Sequence, residues 1–349
     1  MTQSVGIVGA GVMGAGIAQV VLEAGDMVAM YDPDPAAVDR ARERVTDGLA
    51  RRARTLAVDD AWVSGHLARL GSASSLNDAA RDADIVIEAA IEDLDAKRAI
   101  FRTLDRAARP DAILATNTSA LRVGDIATAV HRTERVLGLH WFNPAPLMAL
   151  VEVVATDATA PAVIERAVAA VTAWGKTPVR SADTPGFIVN RVNRPFTIEA
   201  LRLLETGAAD IATIDGAMRA AGFPMGPFEL MDLAGLDINL AAARGIWEGL
   251  GRPERLRPST IQERLVAAGH LGRKTGEGFY RYDAGGTRHP AEVVAAAPAA
   301  VVDSAAIVAR ITSAIDAEAD RAAADGVASR DDIELALRLG AGHPLRSTP

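Results

Sequence analysis

The chain has 349 residues, 49% of them hydrophobic, which is enough for two domains with sizeable cores. A net charge of −8 excludes a general nucleic-acid binder, which needs clustered positive charge, and zero cysteines exclude disulfides, thiolate nucleophiles and Cys-ligated metals. No run of 18 apolar residues is free of charge or Gly/Pro breaks, and the start lacks a basic segment, so a cytoplasmic protein with neither membrane span nor signal peptide is expected. Arginine outnumbers lysine 34 to 3, so Lys97, Lys176 and Lys274 either mark places where a compact ammonium is needed or stand there by chance.

Residues 5–8 read as a buried strand, and Gly9, Gly11 and Gly14 follow at GxGxxG spacing before a helical run over 15–24. The first glycine allows a tight turn, the second lets backbone approach a pyrophosphate, and the third allows close helix–strand packing. A second strand over 27–31 ends at Asp32, 18 residues beyond the third glycine. An acid there hydrogen-bonds a ribose 2′-OH and repels a 2′-phosphate, which favours NAD over NADP. From 36 to about 70 the spacing of Val38, Ala41, Val45 and Leu49 predicts a helical hairpin inserted before the next strand. Its cluster Arg51, Arg52, Arg54 is either a solvated face or a receptor for the phosphates of an anionic substrate handle.

Three further strands, over 85–87, 113–116 and 136–139, bring Glu92 and Lys97, then Asn117-Thr118-Ser119, then His140 to the edge where doubly wound sheets bind ligands. A Pro-interrupted turn over 143–146 leads to a strand over 150–154 that carries Glu152. If the two runs lie side by side, a buried carboxylate meets an imidazole, as a general base requires. A core histidine satisfied by backbone is the alternative. Five strand-end features on one edge favour the catalytic reading. A helix over 160–174 and a strand over 176–180 follow, and the alternation breaks at 183–190. The pattern beyond is helical, which puts a domain boundary near 182 and Asn190 early on the next helix, facing the crevice between domains.

Residues 188–218 recur as 307–337 at a constant offset of 119, pairing Arg191 with Arg310, Glu199 with Glu318 and Gly207 with Gly326. One inserted residue later, Gly222-Phe-Pro224 matches Gly342-His-Pro344. Ala309 stands where the first copy has Asn190, so the second copy reads as structural, packed on the first and changing how the chain self-associates. The Gly-, Ala- and Pro-rich stretch 284–298 reads as a linker.

Over residues 4–282 the chain resembles the L-3-hydroxyacyl-CoA dehydrogenase family. The residues that carry the resemblance are the Gly9–Gly14 turn, Thr116-Asn-Thr-Ser119, Gly138-Leu-His-Trp-Phe-Asn-Pro144, Leu150-Val-Glu152, Asp183-Thr-Pro-Gly-Phe-Ile-Val-Asn-Arg191, Pro224-Met-Gly-Pro227 and Gly272-Arg-Lys-Thr-Gly-Glu-Gly-Phe-Tyr280. It implies an α/β fold: a Rossmann-type doubly wound NAD-binding domain over 1–182 with the hairpin insertion, an all-α substrate and dimerisation domain over 183–283, the linker over 284–298, and a truncated helical repeat over 299–349. It also implies reversible oxidation of an L-3-hydroxyacyl-CoA with NAD, His140 taking the hydroxyl proton and Glu152 orienting it. Ser119 and Asn190 would hydrogen-bond the substrate oxygen or the catalytic ring. Asn143 would lie beside them, and Glu92, Lys97 and Lys274 around NAD, in a homodimer without metal, membrane or nucleic-acid partner. The family's CoA-contacting serine and lysine fall on Gly48 and Thr55, which leaves Arg51 and Arg54 to substitute. Two other readings remain open: a dehydrogenase of a CoA-free hydroxy acid, of gulonate or carnitine type, and a non-catalytic dinucleotide-binding protein.

Overall fold

The structure, a computed structural model, describes residues 2–283, 285, 287–291 and 302–344. The chain divides into two compact units, Met1–Phe187 and Ile188–Pro349. Among the described residues no helix is long and apolar enough to cross a membrane, and no group of three or more His, Cys, Asp or Glu could hold a metal ion.

The first unit is built on strands β1 (Ser4–Val8), β2 (Met27–Tyr31), β3 (Leu70–Ser72), β4 (Ile85–Glu88), β5 (Ile113–Thr116), β6 (Val136–Trp141), β7 (Leu150–Ala155) and β8 (Thr177–Ala182). They form one sheet in the order β3-β2-β1-β4-β5-β6-β7-β8, parallel except at β6/β7. The order reverses direction between β1 and β4, the switch point where doubly wound sheets bind ligands beyond their strand ends. Strand residues alternate between two cores. Ile7, Ile87, Ala115 and Leu139 face helices α1 (Val12–Glu23), α2 (Pro35–Leu56), α3 (Asp60–Leu67) and α7 (Pro161–Ala173). Val8, Val86, Leu114 and Val136 face α4 (Leu76–Ala80), α5 (Leu94–Ala107) and α6 (Val123–Ala127). The hairpin insertion is α2 and α3. On α2 the buried residues Val38, Ala41, Val45, Leu49 and Ala53 follow the helical spacing read from the sequence.

Two boundaries differ from those expected. Helix α1 starts at Val12 rather than 15, because Gly11 takes the extended N-cap position, φ −70° and ψ −167°. Residues 183–187 stay with the first unit, since the Asp183 carboxylate accepts from Val123 N at 2.8 Å and Gly124 N at 2.7 Å.

The second unit contains α8 (Val189–Val192), α9 (Arg194–Glu205), α10 (Ile211–Ala220), α11 (Pro227–Ala234), α12 (Leu236–Gly249), α13 (Thr260–Ala267), α14 (Ser304–Ala324) and α15 (Arg330–Ala341). It is not all helical. Strand β9 (Tyr280–Tyr282) pairs antiparallel with β10 (Arg288–Pro290), so part of the expected linker is a hairpin; residues 284, 286 and 292–298 of it lie outside the described residues. Two buried carboxylates tie this hairpin to α10 and α11. Asp215 accepts from Phe228 N, Glu229 N and Tyr280 Oη, and Asp232 from Phe279 N, Tyr280 N and Tyr282 Oη.

The repeat is realised as α14 and α15 packing on α8, α9 and α10. Proline 195 interrupts the first copy by removing a backbone donor; Ala314 stands in its place in the second, and α14 runs unbroken. Equivalent residues meet reciprocally. Arg191 Nε donates to Glu318 at 3.0 Å, and Arg310 Nε donates to Glu199 at 2.8 Å, the same pair in both directions. Gly222 lies against Pro344 and Gly342 against Pro224. The two copies therefore face each other about a local pseudo-twofold axis, like an isologous dimer interface in one chain.

Candidate active site

The parallel strands β1, β2, β4, β5 and β6 end on one edge, as expected, so the glycine turn, Asp32, Glu92, Ser119 and His140 share it. Gly9 has φ +103°, and a Cβ there would meet the Ala89–Ala90 backbone. Gly14 lies against the Gly9 carbonyl, whereas a Cβ on Gly11 would point into open space. The N-terminus of α1 therefore presents uncapped backbone N–H groups with no acidic side chain in its first turn, a fit for a pyrophosphate. Asp32 closes the turn: its Oδ2 accepts from Ala10 N at 2.8 Å and its Oδ1 from Asp34 N at 3.0 Å.

The register of β6 and β7 sets His140 opposite Glu152, so the two side chains leave the sheet on one face. Nδ1 of His140 lies 2.5 Å from Glu152 Oε2; His140 is 5% exposed and Glu152 fully buried. A carboxylate on Nδ1 holds the tautomer and leaves Nε2 for proton transfer. The imidazole packs against Phe142 and Phe187, at ring-centroid distances of 4.5 and 5.6 Å.

Three further side chains hold this geometry: Asn117 and Lys176, both marked in the sequence, and Glu88, which was not. Asn117 Oδ1 accepts from Trp141 N at 2.9 Å and so ties the end of β5 to the residue after His140. Lys176 donates to the carbonyls of Ala145, Pro146 and Met148 at 2.7, 3.2 and 2.8 Å, pinning the turn between the dyad strands. Burial holds its ammonium below the usual lysine range. Glu88, fully buried at the end of β4, accepts from Lys97 Nζ at 2.7 Å, Thr116 Oγ1 at 2.6 Å and Ala90 N at 2.7 Å. The lysine scarcity marked Lys176 without assigning it this role; for Glu88 the available signal was a glutamate in an apolar strand.

Lys97 is 1% exposed, its ammonium held between Glu88 and Glu92, the latter at 3.3 Å. Glu92 Oε1 accepts from Thr118 Oγ1 at 2.5 Å and from the backbone of Ser119 and Ala120, both at 3.0 Å. Burial raises the Glu92 pKa, but Lys97, Thr118 and these N–H groups outweigh it and hold the carboxyl below its ordinary value. Glu92 and Lys97 thus shape the loop that carries Ser119, which is exposed. Asn143 is exposed just beyond β6. Arg51 and Arg54 are exposed on α2 without ion pairs among the described residues, and Gly48 packs against Gln19, whose amide fills the space a serine would need. Asn190 lies on α8 and Lys274 pairs with Asp237 at 2.6 Å, both in the second unit.

A doubly wound sheet with an open glycine turn, an acid closing it and a buried His–Glu pair on the same edge defines an NAD-dependent dehydrogenase. The comparisons with known proteins narrow this further. The NAD-binding domain of 3-hydroxyacyl-CoA dehydrogenase matches residues 4–184, and the C-terminal domain of the same enzyme matches 186–282. A 3-hydroxyadipyl-CoA dehydrogenase of Escherichia coli is 44% identical over 283 residues, 81% of this chain and 59% of that relative. The human mitochondrial hydroxyacyl-coenzyme A dehydrogenase is 39% identical over 289 residues, 81% of this chain and 92% of that one. A crystal structure of 3-hydroxybutyryl-CoA dehydrogenase from E. coli aligns with a TM-score of 0.87 at 34% identity, covering 99% of this chain and 90% of that one. A (S)-3-hydroxybutyryl-CoA dehydrogenase from Ralstonia eutropha aligns at 0.78 and 37%, covering 81% and 100%.

The chain belongs to the 3-hydroxyacyl-CoA dehydrogenase family. It is an NAD-dependent oxidoreductase that interconverts 3-hydroxyacyl-CoA and 3-ketoacyl-CoA.

Proposed function

We propose that His140 is the general base of this reaction, oriented by Glu152, with Ser119 and Asn190 on the substrate oxygen. The observation that carries the reading is the buried 2.5 Å contact between His140 and Glu152 on the edge that bears the glycine turn. In the oxidation direction His140 Nε2 takes the C3 hydroxyl proton as the hydride leaves C3. Bound NAD supplies the hydride acceptor. Buried Glu152 stabilises the imidazolium that forms, and in reduction the same imidazolium returns the proton. Gly9, Gly11, Gly14 and Asp32 hold the dinucleotide, with Asn143 and Lys274 as its further contacts; Glu92 and Lys97 serve it through the Ser119 loop.

Arg51 and Arg54 receive the phosphates of CoA in this reading, since they are exposed cations beside the Gly48 and Thr55 positions. The reaction belongs to fatty acid metabolism, as the dehydrogenation of β-oxidation, in the cytoplasm. A homodimer is part of the same reading, and its interface lies on a surface other than the one α14 and α15 cover. Relatives named for a hydroxyadipyl-CoA and for a hydroxybutyryl-CoA both match, and these two substrates differ in acyl length by two carbons and in a carboxylate at the far end of the longer chain.

The test is NADH oxidation with acetoacetyl-CoA, with His140→Gln beside the parent. Turnover in the parent that falls at least about 10²-fold in the variant, with NADH still bound, is expected. Activity on a free hydroxy acid with none on acetoacetyl-CoA would overturn the reading.

A further inference from the structure

Arg135, Arg191 and Arg194 are buried arginines, at 4, 1 and 7% exposure. Arg135 donates to the Asp105 carboxylate and Arg191 to Glu318. Among the described residues, Arg194 has neither ion pair nor side-chain hydrogen bond, and its Nε is shut off from solvent without a partner. Burial is the one influence on its guanidinium, pulling it down to about 10, with no carboxylate near enough to oppose the shift. A guanidinium cannot shed its charge at neutral pH, so it stands largely desolvated, its Nε unpartnered and its charge unopposed by a carboxylate among the described residues. Such a group persists where something that binds later supplies the missing anion.

Its place in the chain says which anion. Arg194 opens α9, four residues after Asn190, along a path that stays helical through Asn193, at φ −82° and ψ −3°. Residues four apart on a helix share a face. Arg194 therefore rises about 6 Å beyond Asn190 on its side of the helix. If Asn190 holds the oxygen on C3, the next turn of that face lies alongside the rest of the acyl chain.

We propose that Arg194 is the receptor for a carboxylate at the far end of the acyl chain, so that this chain acts on dicarboxylic 3-hydroxyacyl-CoA substrates. The proposal rests on the dehydrogenase reading with Asn190 at the reacting oxygen. The planar guanidinium fork suits a carboxylate held by two parallel hydrogen bonds. A neutral tail of equal length leaves the charge buried and unpaired, so the preference comes as much from rejecting the wrong substrate as from holding the right one.

The experiment compares 3-oxoadipyl-CoA with 3-oxohexanoyl-CoA, six-carbon chains that differ in the terminal carboxylate, in NADH oxidation by the full chain. The expected kcat/KM ratio favours 3-oxoadipyl-CoA by at least about 10²-fold, carried mainly in KM. Arg194→Met is expected to bring the ratio close to one, and Arg194→Lys to keep part of it. NADH binding by both variants checks the fold. Equal kcat/KM for the two substrates in the parent, or a preference that survives Arg194→Met, overturns the assignment and leaves the dehydrogenase standing. Turnover of neither substrate by the parent overturns the dehydrogenase reading itself.

Discussion

Replacing Glu152 by glutamine keeps the volume and hydrogen-bonding capacity of a fully buried side chain and removes its charge. His140 Nδ1, 2.5 Å away, then faces a neutral amide at the moment the ring becomes an imidazolium. A hydrogen bond to a charged group contributes about 1.5–3 kcal/mol net. Two unit charges about 4 Å apart attract by about 4 kcal/mol at an effective dielectric of about 20. The variant retains a hydrogen bond, so about 2–4 kcal/mol of transition-state stabilisation is lost, or about 30- to 1,000-fold in kcat. Stopped-flow NADH oxidation with acetoacetyl-CoA reads kcat, and NADH fluorescence reads cofactor affinity, which should hold within a few-fold. Combining Glu152→Gln with His140→Gln should cost little more than His140→Gln alone, because the carboxylate acts through the ring. A Glu152→Gln rate within about threefold of the parent, or effects that simply add, would refute the reasoning.

Two further outcomes follow from groups outside the dyad. Lys176→Met leaves three turn carbonyls without their common donor and should lower kcat/KM about 10-fold or more. Lys176→Arg should not restore it, since a planar fork cannot replace a compact ammonium on three converging acceptors; full rescue would count against the pinning role. His343, whose Nε2 lies 2.8 Å from Asn193 Oδ1, is pushed down by burial to about 4 from an ordinary 6.5. The folded state thus binds the proton more weakly than the unfolded chain. Its contribution is fully present above pH 6.5 and is lost as pH falls toward 4, by about 1–3 kcal/mol. Tm measured from pH 7 to pH 4 should fall less steeply in His343→Phe; identical slopes would exclude His343 as a source.

The fold and the dyad were legible because they follow from local rules. Glycine spacing, apolar runs and the Pro-broken turn each act over a few residues, and β pairing then fixes His140 opposite Glu152. What escaped depends on partners far apart in sequence. The resemblance assigned Lys97 and Glu92 to the cofactor, but not the pairing of both with each other, of Lys97 with Glu88 and of Glu92 with the Ser119 loop. Pairing across 28 residues between Glu88 and Thr116 leaves no periodic trace. The β9–β10 hairpin was hidden because its second strand lies in a stretch whose composition suggests a linker. The missing CoA-contacting serine at position 48 became intelligible once Gln19 was seen against it.

The reciprocal pairing of the two helical copies bears on how the protein behaves on dilution. An interface between separate subunits is lost when its halves meet too rarely. Here the halves are tethered by the chain between Tyr282 and Ser304, so each meets the other at an effective concentration set by tether length, however few molecules are present. The support that α14 gives to α8 and α9 is thus as strong in a single molecule as in a concentrated solution. The newly made first copy has only to wait for the end of its own chain.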